Sequence, residues 1–389
     1  MALAINLPDA TGALVPYRLS GASAPRGGTT GPFNRIVFAA GHVVADPFAV
    51  TEPSLGPAID WTATLAFRRA LLDRGFSIAE AMDTAQRGMG LDWPNARRLI
   101  EASLGAVGPD ERERIFSGVG TDQLAPTDAR SIDDVVAAYL DQLHAVQAVG
   151  GRVILMASRA LARLARSPDD YATVYARVLA EADKPVILHW LGDMFDPALR
   201  GYWGSEAFAP ALETALAVIA ANRAKIDGIK ISLLDDQKEV AMRRRLPDGV
   251  RMYTGDDFNY PALIKGDAEG YSHALLGILD PIAPVAGPAF AALTRGDVAA
   301  YDRLLEPTVP LSRLIFRAPT QHYKTGVVFL AYLNAFQDHF VMVAGAQAMR
   351  PLPYFTEVFR LADAAGLFFD PEDATRRMRA FLRLYSVEA

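Results

Sequence analysis

Eight short apolar or β-branched runs, each followed by a longer segment with helical spacing, constrain this 389-residue chain more than any other feature. The runs are Arg35–Val44, Ser77–Thr84, Arg112–Gly120, Arg152–Ser158, Pro185–Leu191, Gly228–Leu234, Arg251–Gly255 and Gly270–Leu276. Helical patterns fall between them at about 60–74, 93–104, 131–149, 168–182, 206–224, 236–245 and 259–265. Such alternation belongs to parallel sheets covered by helices. Asp92-Trp93-Pro94 and Ser167-Pro168 read as helix starts, with a capping side chain followed by proline in the first turn. No G-x-G-x-x-G follows the first run, so a dinucleotide-binding open sheet has little support. Eight alternations instead predict a closed (β/α)8 TIM barrel over residues 34–285. A Gly-, Pro-, Ser- and Thr-rich N-terminal arm or short hairpin over 1–33 precedes it. Residues 286–389 read as the last barrel helix and a helical C-terminal extension, either a packed cap or an oligomer interface.

Composition narrows the function. Hydrophobic residues make up 51% of the chain, enough for a large core, and the net charge is −6. A mildly acidic surface offers no electrostatic reason to bind nucleic acid or anionic lipid. Without cysteine, thiolate nucleophiles, disulfides and zinc–thiolate sites are excluded. The first residues lack a basic segment followed by a long apolar one, and no run of about 18 apolar residues occurs. No membrane association is expected, and a cytoplasmic location is.

A barrel of this kind carries its chemistry at the C-terminal ends of the strands and in the loops that follow. That rule collects His42, Asp83-Thr84, Gln86 and Arg87, Asp122, Ser158, His189, Lys230, Asp256 and His273. Lys230 is the most informative. Alternation along a strand turns Ile229, Ile231 and Leu233 toward the helices and Lys230, Ser232 and Leu234 toward the barrel axis. Burial disfavours an ammonium, and a neutral amine attacks carbonyl carbon to form an imine. The alternative is a structural lysine paired with Asp235 or Asp256.

The segment IDGIKISLLDD, followed by RMYTGDDFNYPALIKGDAEGYSHALLGILDPI, resembles the dihydrodipicolinate synthase and N-acetylneuraminate lyase family. The shared features are Gly228-Ile229-Lys230, Gly255-Asp256-Asp257 and Ala268-Glu269-Gly270, in that order. The resemblance is good over about residues 180–310 and weaker from about residue 70. It implies a lyase or aldolase in which Lys230 forms a Schiff base with a small carbonyl substrate, a 2-oxo acid or a sugar-derived keto compound. It implies no cofactor and no metal, and a homo-oligomer, dimer or tetramer. Two departures stand out. Where the family has a carboxylate-binding G-T-T-G-E turn, this chain has Asp83-Thr84-Ala85-Gln86-Arg87. Where the family has its proton-relaying tyrosine, it has Met156-Ala157-Ser158. His189 is the candidate for the missing acid–base group. Arg87 is a candidate carboxylate clamp. Thr84, Gln86, Asp122, Ser158, Asp256 and His273 are candidate substrate contacts.

Two other functions compete. His42, Asp83, Asp122, His189 and His273 suit a metal-dependent sugar isomerase or hydrolase, although no H-x-H or H-E-x-x-H motif is present. The missing tyrosine would also suit a barrel that binds a small ligand without chemistry.

Overall fold

The computed structural model describes residues 3–28 and 31–388. Residues 1, 2, 29 and 30 of the expected arm lie outside the described residues. The chain divides into two compact units. One is Arg35–Gly41 with Ser77–Gly277, and the other is Met1–Asn34, His42–Phe76 and Ile278–Ala389.

The second of these units opens with a hairpin of β1 (Ala4–Pro8) and β2 (Leu14–Arg18), paired antiparallel. Its turn follows from Asp9, whose carboxylate accepts from the backbone of Thr11 (2.8 Å) and Ala13 (3.0 Å), with Gly12 at φ +87°. Tyr17 donates to Asp363 (2.8 Å), which ties the hairpin to the helix Leu352–Ala364. The remaining helices of this unit include Trp61–Leu72, Leu279–Thr294, Lys324–Leu333 and Pro371–Arg383. Phe329, Phe355 and Phe381 meet at centroid distances of 4.8–4.9 Å at its core. The apolar run around residues 326–345 is helical only to Leu333. Ala335 then turns to φ +57°, and Asn334 donates its side-chain amide to the Leu367 carbonyl. The helix Lys324–Leu333 is buried along its whole length inside this unit. No helix among the described residues is long and apolar enough to cross a membrane.

The first unit is a closed barrel of eight parallel strands. They are β3 (Val37–Ala40), β4 (Ser77–Glu80), β5 (Ile115–Val119), β6 (Arg152–Leu155), β7 (Val186–Leu191), β8 (Ile226–Ser232), β9 (Arg251–Thr254) and β10 (His273–Leu276), and β10 pairs with β3 to close the ring. Phe38, Ala79, Phe116, Ile154, Ile187, Tyr253 and Leu275 fill the interior. Most of these side chains are large, so the interior is a packed core rather than a pore. Helices Trp93–Gly105, Ile132–Ala148, Pro168–Ala180 and Phe208–Ala221 follow β4 to β7. Asp92 caps the first of them, accepting from the Asn95 amide (3.1 Å). Asp170 accepts from the Ser167 amide (3.1 Å) at the start of the third. The pattern predicts all eight strands, but several stop short of their apolar runs. Ala81 turns to φ +52° after Glu80, and Ser158 starts the short helix Arg159–Leu164. Those surplus residues leave the ladder and build the mouth of the barrel.

Candidate active site at the barrel mouth

Lys230 lies two residues before the end of β8. It pairs with His189 of β7 on one side and Tyr253 of β9 on the other. Paired residues of a sheet point to the same face, and Tyr253 belongs to the interior cluster, so Lys230 and His189 face the barrel axis. Lys230 is only 4% exposed. No hydrogen bond or ion pair to its Nζ occurs among the described residues. Asp235 instead caps the helix Asp236–Arg243 and pairs with Lys238 (3.0 Å). Asp256 accepts from the amides of Phe258 (2.8 Å) and Asn259 (3.1 Å) and from the Asn259 side chain (2.9 Å). Burial raises the Asp256 carboxyl above the usual range. The structural pairing with Asp235 or Asp256 is therefore not made.

Gly255 explains how the lysine fits. A Cβ at this position would stand 2.7 Å from Lys230 Cε and from the Ile231 carbonyl, and closer still to Ser232 Oγ. The backbone after β9 thus lies against the lysine stem, an approach only glycine permits. Ser232, 2% exposed, faces the same interior and lies 3.3 Å from His189 Nε2. Burial, and then the Lys230 charge, push the His189 pKa well below its usual value, while the Asp83 carboxylate acts in the opposite sense. His189 is a neutral imidazole at neutral pH.

The other predicted residues divide by location. Thr84 is buried in the single helical turn Asp83–Ala85, and Gln86 follows at φ +63° with its amide on the Met89 carbonyl (3.3 Å). Arg87 grips Asp122 with two parallel bonds of 2.8 Å and also donates to the Gly118 carbonyl (2.9 Å) and Gln142 (2.6 Å). Burial alone would raise the Asp122 carboxyl, but the Arg87 charge and hydrogen bonds hold it below the usual range. Arg87 and Asp122 join the loops after β4 and β5 to each other. Ser158 caps its own short helix, bonding Leu161 N (3.0 Å), and shares a hydrogen bond with Thr121 (2.6 Å). His273 is not brought to the mouth. It opens β10 at the other end of its strand, accepts from the Ile36 amide (3.0 Å) and packs between Tyr253 and Tyr271. Burial and the charges of Arg251 and Arg35 lower its pKa to about 4.

In the other unit, His42 holds Asp280 through Nδ1 (2.8 Å) and faces Gln337 through Nε2 (3.2 Å). Among the described residues, no three His, Cys, Asp or Glu side chains form a group able to hold a metal. Of the residues proposed as metal ligands, Asp122 is held by Arg87, His273 accepts from the Ile36 amide and His42 pairs with Asp280.

Sequence reasoning missed one aromatic group. Tyr202, in the long segment after β7, accepts from the Ser158 amide (3.2 Å) and meets the Tyr175 hydroxyl (3.0 Å), and Tyr139 donates to the Met156 carbonyl (2.6 Å). Three buried phenols thus surround the stretch Met156–Ser158, where the chain itself carries no tyrosine. Nothing in the local sequence signals this, because the three come from distant segments. Trp190, which alternates with His189, faces away from the axis. There it borders a cleft of about 340 Å³ with Gly192, Arg200, Phe208 and Lys238.

A family model described as "Protein of unknown function (DUF993)" matches residues 5–387. The chain belongs to this family. No curated protein matches it. Solved structures do. A dihydrodipicolinate synthase from Thermotoga maritima superposes with a TM-score of 0.63 at 14% identity, over 87% of this chain and 100% of its own. One from Aquifex aeolicus gives 0.59 at 12% identity, over 91% and 99%. One from Acinetobacter baumannii, solved with pyruvate, gives 0.61 at 15% identity, over 87% and 100%. At these identities the likeness is one of fold. This DUF993 member shares the barrel fold of the dihydrodipicolinate synthases.

Proposed function

We propose that this protein is a lyase or aldolase that forms a Schiff base between Lys230 and a small carbonyl substrate. The observation that carries the reading is the state of Lys230. It is a lysine inside a barrel, near the strand's C-terminal end, with no ion pair among the described residues and with a glycine against its stem. A buried charge is normally paired. A lysine kept without a partner, where barrels hold their reacting groups, is suited to nucleophilic attack. The resemblance of fold to dihydrodipicolinate synthases supports the same class.

In this reading the Lys230 amine attacks the carbonyl carbon, the oxygen takes up one proton from the amine and one from an acid, and water leaves to give a protonated imine. The imine accepts the electron pair when a neighbouring C–H or C–C bond breaks. His189, neutral and beside Lys230 and Ser232, moves the proton between substrate and solvent. The test is borohydride reduction in the presence of a panel of carbonyl compounds, with peptide mass spectrometry. Hydride adds to the imine carbon and fixes the substrate on nitrogen as a secondary amine. An adduct on Lys230, absent in Lys230→Ala, supports the proposal. A folded protein that gives no adduct on Lys230 with any carbonyl removes it.

A further inference from the structure

We infer that the cleft on the outer face of β7 is a second binding site, for a small uncharged aromatic molecule that carries a hydrogen-bond acceptor. His189 and Trp190 are neighbours in β7 and point to opposite faces, so the cleft and the lysine-bearing interior lie on either side of that strand. Its volume of about 340 Å³ suits a molecule with one ring and a short substituent.

The inner walls are apolar. Trp190, Leu199, Tyr202 and Ala211 are buried there, and Phe208 and Leu233 complete the lining. The Tyr202 hydroxyl is already bonded to the Ser158 amide and the Tyr175 hydroxyl, so Tyr202 offers the cleft its ring. Trp190 is held in one orientation, stacked on Phe208 at 5.8 Å and edge-on to Trp203 at 6.2 Å. Its indole N–H has no acceptor among the described residues. Trp203 shares that lack, but its nitrogen is sealed in the core, whereas the Trp190 nitrogen is not. Trp190 is 5% exposed, and the cleft is the open space it borders. An indole so nearly buried normally donates to a partner. An acceptor on a ligand in the cleft would be that partner.

The rim decides the charge of the ligand. Arg200 lies 3.6 Å from Asp193, and Lys238 lies 3.0 Å from Asp235. Each cation already has its carboxylate. Glu206 stands exposed at the edge, where water and salt screen its charge. An ion entering the apolar cleft would lose its hydration without meeting a free counter-charge. A neutral ring gains contact with Trp190 and Phe208 and strips no ion of water. The wall is also fixed in place. Asp196 pairs with Arg159 at 2.5 Å, and at Gly192 a Cβ would stand 2.9 Å from the Ser232 carbonyl oxygen, so the segment leaves β7 packed against the end of β8. A preformed cleft costs less to fill than one that must be ordered.

Benzamide, benzoate and benzylammonium share a ring and differ in charge. The chain has four tryptophans, so isotope labelling of their side-chain nitrogen gives four indole N–H signals in NMR spectra, each assigned through its own backbone amide. Benzamide is expected to move the Trp190 signal saturably, with a Kd on the order of 1 mM or below. Benzoate and benzylammonium are expected to bind on the order of ten-fold more weakly. Trp190→Phe keeps a ring and loses the N–H. Checked for folding by its thermal transition, it is expected to weaken benzamide binding about five-fold, as read from the signals of the ligand itself. A Trp190 signal that stays in place at about 10 mM benzamide overturns the site, as does movement confined to the other tryptophans. Benzoate or benzylammonium binding as tightly as benzamide overturns the uncharged class. These readouts use the wild-type protein and hold even where the variant does not fold. A folded Trp190→Phe protein with unchanged affinity overturns the role of the indole N–H.

Discussion

At the N-terminal end of the barrel, Asp227 accepts from Arg251 (2.6 Å) and from the Tyr253 hydroxyl (2.6 Å), with Arg152 at 4.0 Å. Glu113 binds Arg152 (3.2 Å) and Lys184 (2.5 Å) beside them. At the C-terminal end, Lys230 and His189 face the same interior, yet among the described residues no carboxylate pairs with the lysine. The floor pairs charges that are partly exposed, whereas the mouth buries Lys230 at 4% exposure. The floor gives each charge a partner, which limits the cost of desolvation. The mouth accepts that cost at one lysine. Unsatisfied polarity inside a folded protein is expensive, so where it is retained it points to a reaction rather than to stability.

Substitution at the two ends should separate these roles. Lys230→Met is expected to abolish adduct formation and to lower turnover on the order of 10³-fold or more, with the melting temperature unchanged or raised, because no ion pair is lost. A large fall in melting temperature would place Lys230 with the structural charges of the floor. His189→Gln is expected to slow turnover by about 10² to 10⁴ while Lys230 still forms adducts in single-turnover trapping. Because the His189 pKa lies well below its usual value, the wild-type rate profile should show no step near pH 6.5 from this residue. Such a step, lost in His189→Gln, would contradict the neutral imidazole.

Asp227→Ala should do the reverse of Lys230→Met. It strands Arg251 and the buried Tyr253 hydroxyl and should cost about 2 kcal/mol, less than a fully buried pair because Arg251 is 43% exposed. Trapping per folded molecule should persist, as denaturant melts combined with mass spectrometry would show. The smallest effect is expected at Glu239, which lies behind the mouth and accepts from Ser272 (2.7 Å). Burial pushes its carboxyl up to about 8 from 4.5. The folded state therefore keeps a proton that the unfolded chain has released. The stabilisation is complete below pH 4.5 and is lost as pH rises through 8. Glu239→Gln should flatten that decline and stabilise the protein at pH 8 by about 1 kcal/mol. An unchanged pH dependence of the melting temperature would show that Glu239 is not the group responsible.

Much of the barrel was legible because its signals are local. Each strand lies within a short apolar run, and the inward face of β8 follows from alternation, which puts Lys230 and Ser232 on one face. Asp256, offered by the sequence as a substrate contact, bonds instead to the amides two and three residues on. Arg87 and His273 were less legible. A guanidinium after a strand looks the same in sequence whether it awaits a ligand or grips Asp122, 35 residues on. His273 looked like a strand-end group, but the ladder begins at that residue. The tyrosines around Ser158 could not be read at all, because Tyr139, Tyr175 and Tyr202 lie in separate segments.

The sequence by itself determined that strands and helices alternate eight times and that a lysine sits on the inner face of the sixth barrel strand. It did so because hydrophobic period and side-chain direction are properties of neighbouring residues. Tertiary structure alone decided which charges were already spent. Arg87 went to Asp122, Asp235 to its own helix and Asp227 to Arg251, while Lys230 was left beside a neutral His189 and a close-packed Gly255. Partnership between charges depends on distances through space, and barrel closure sets those distances.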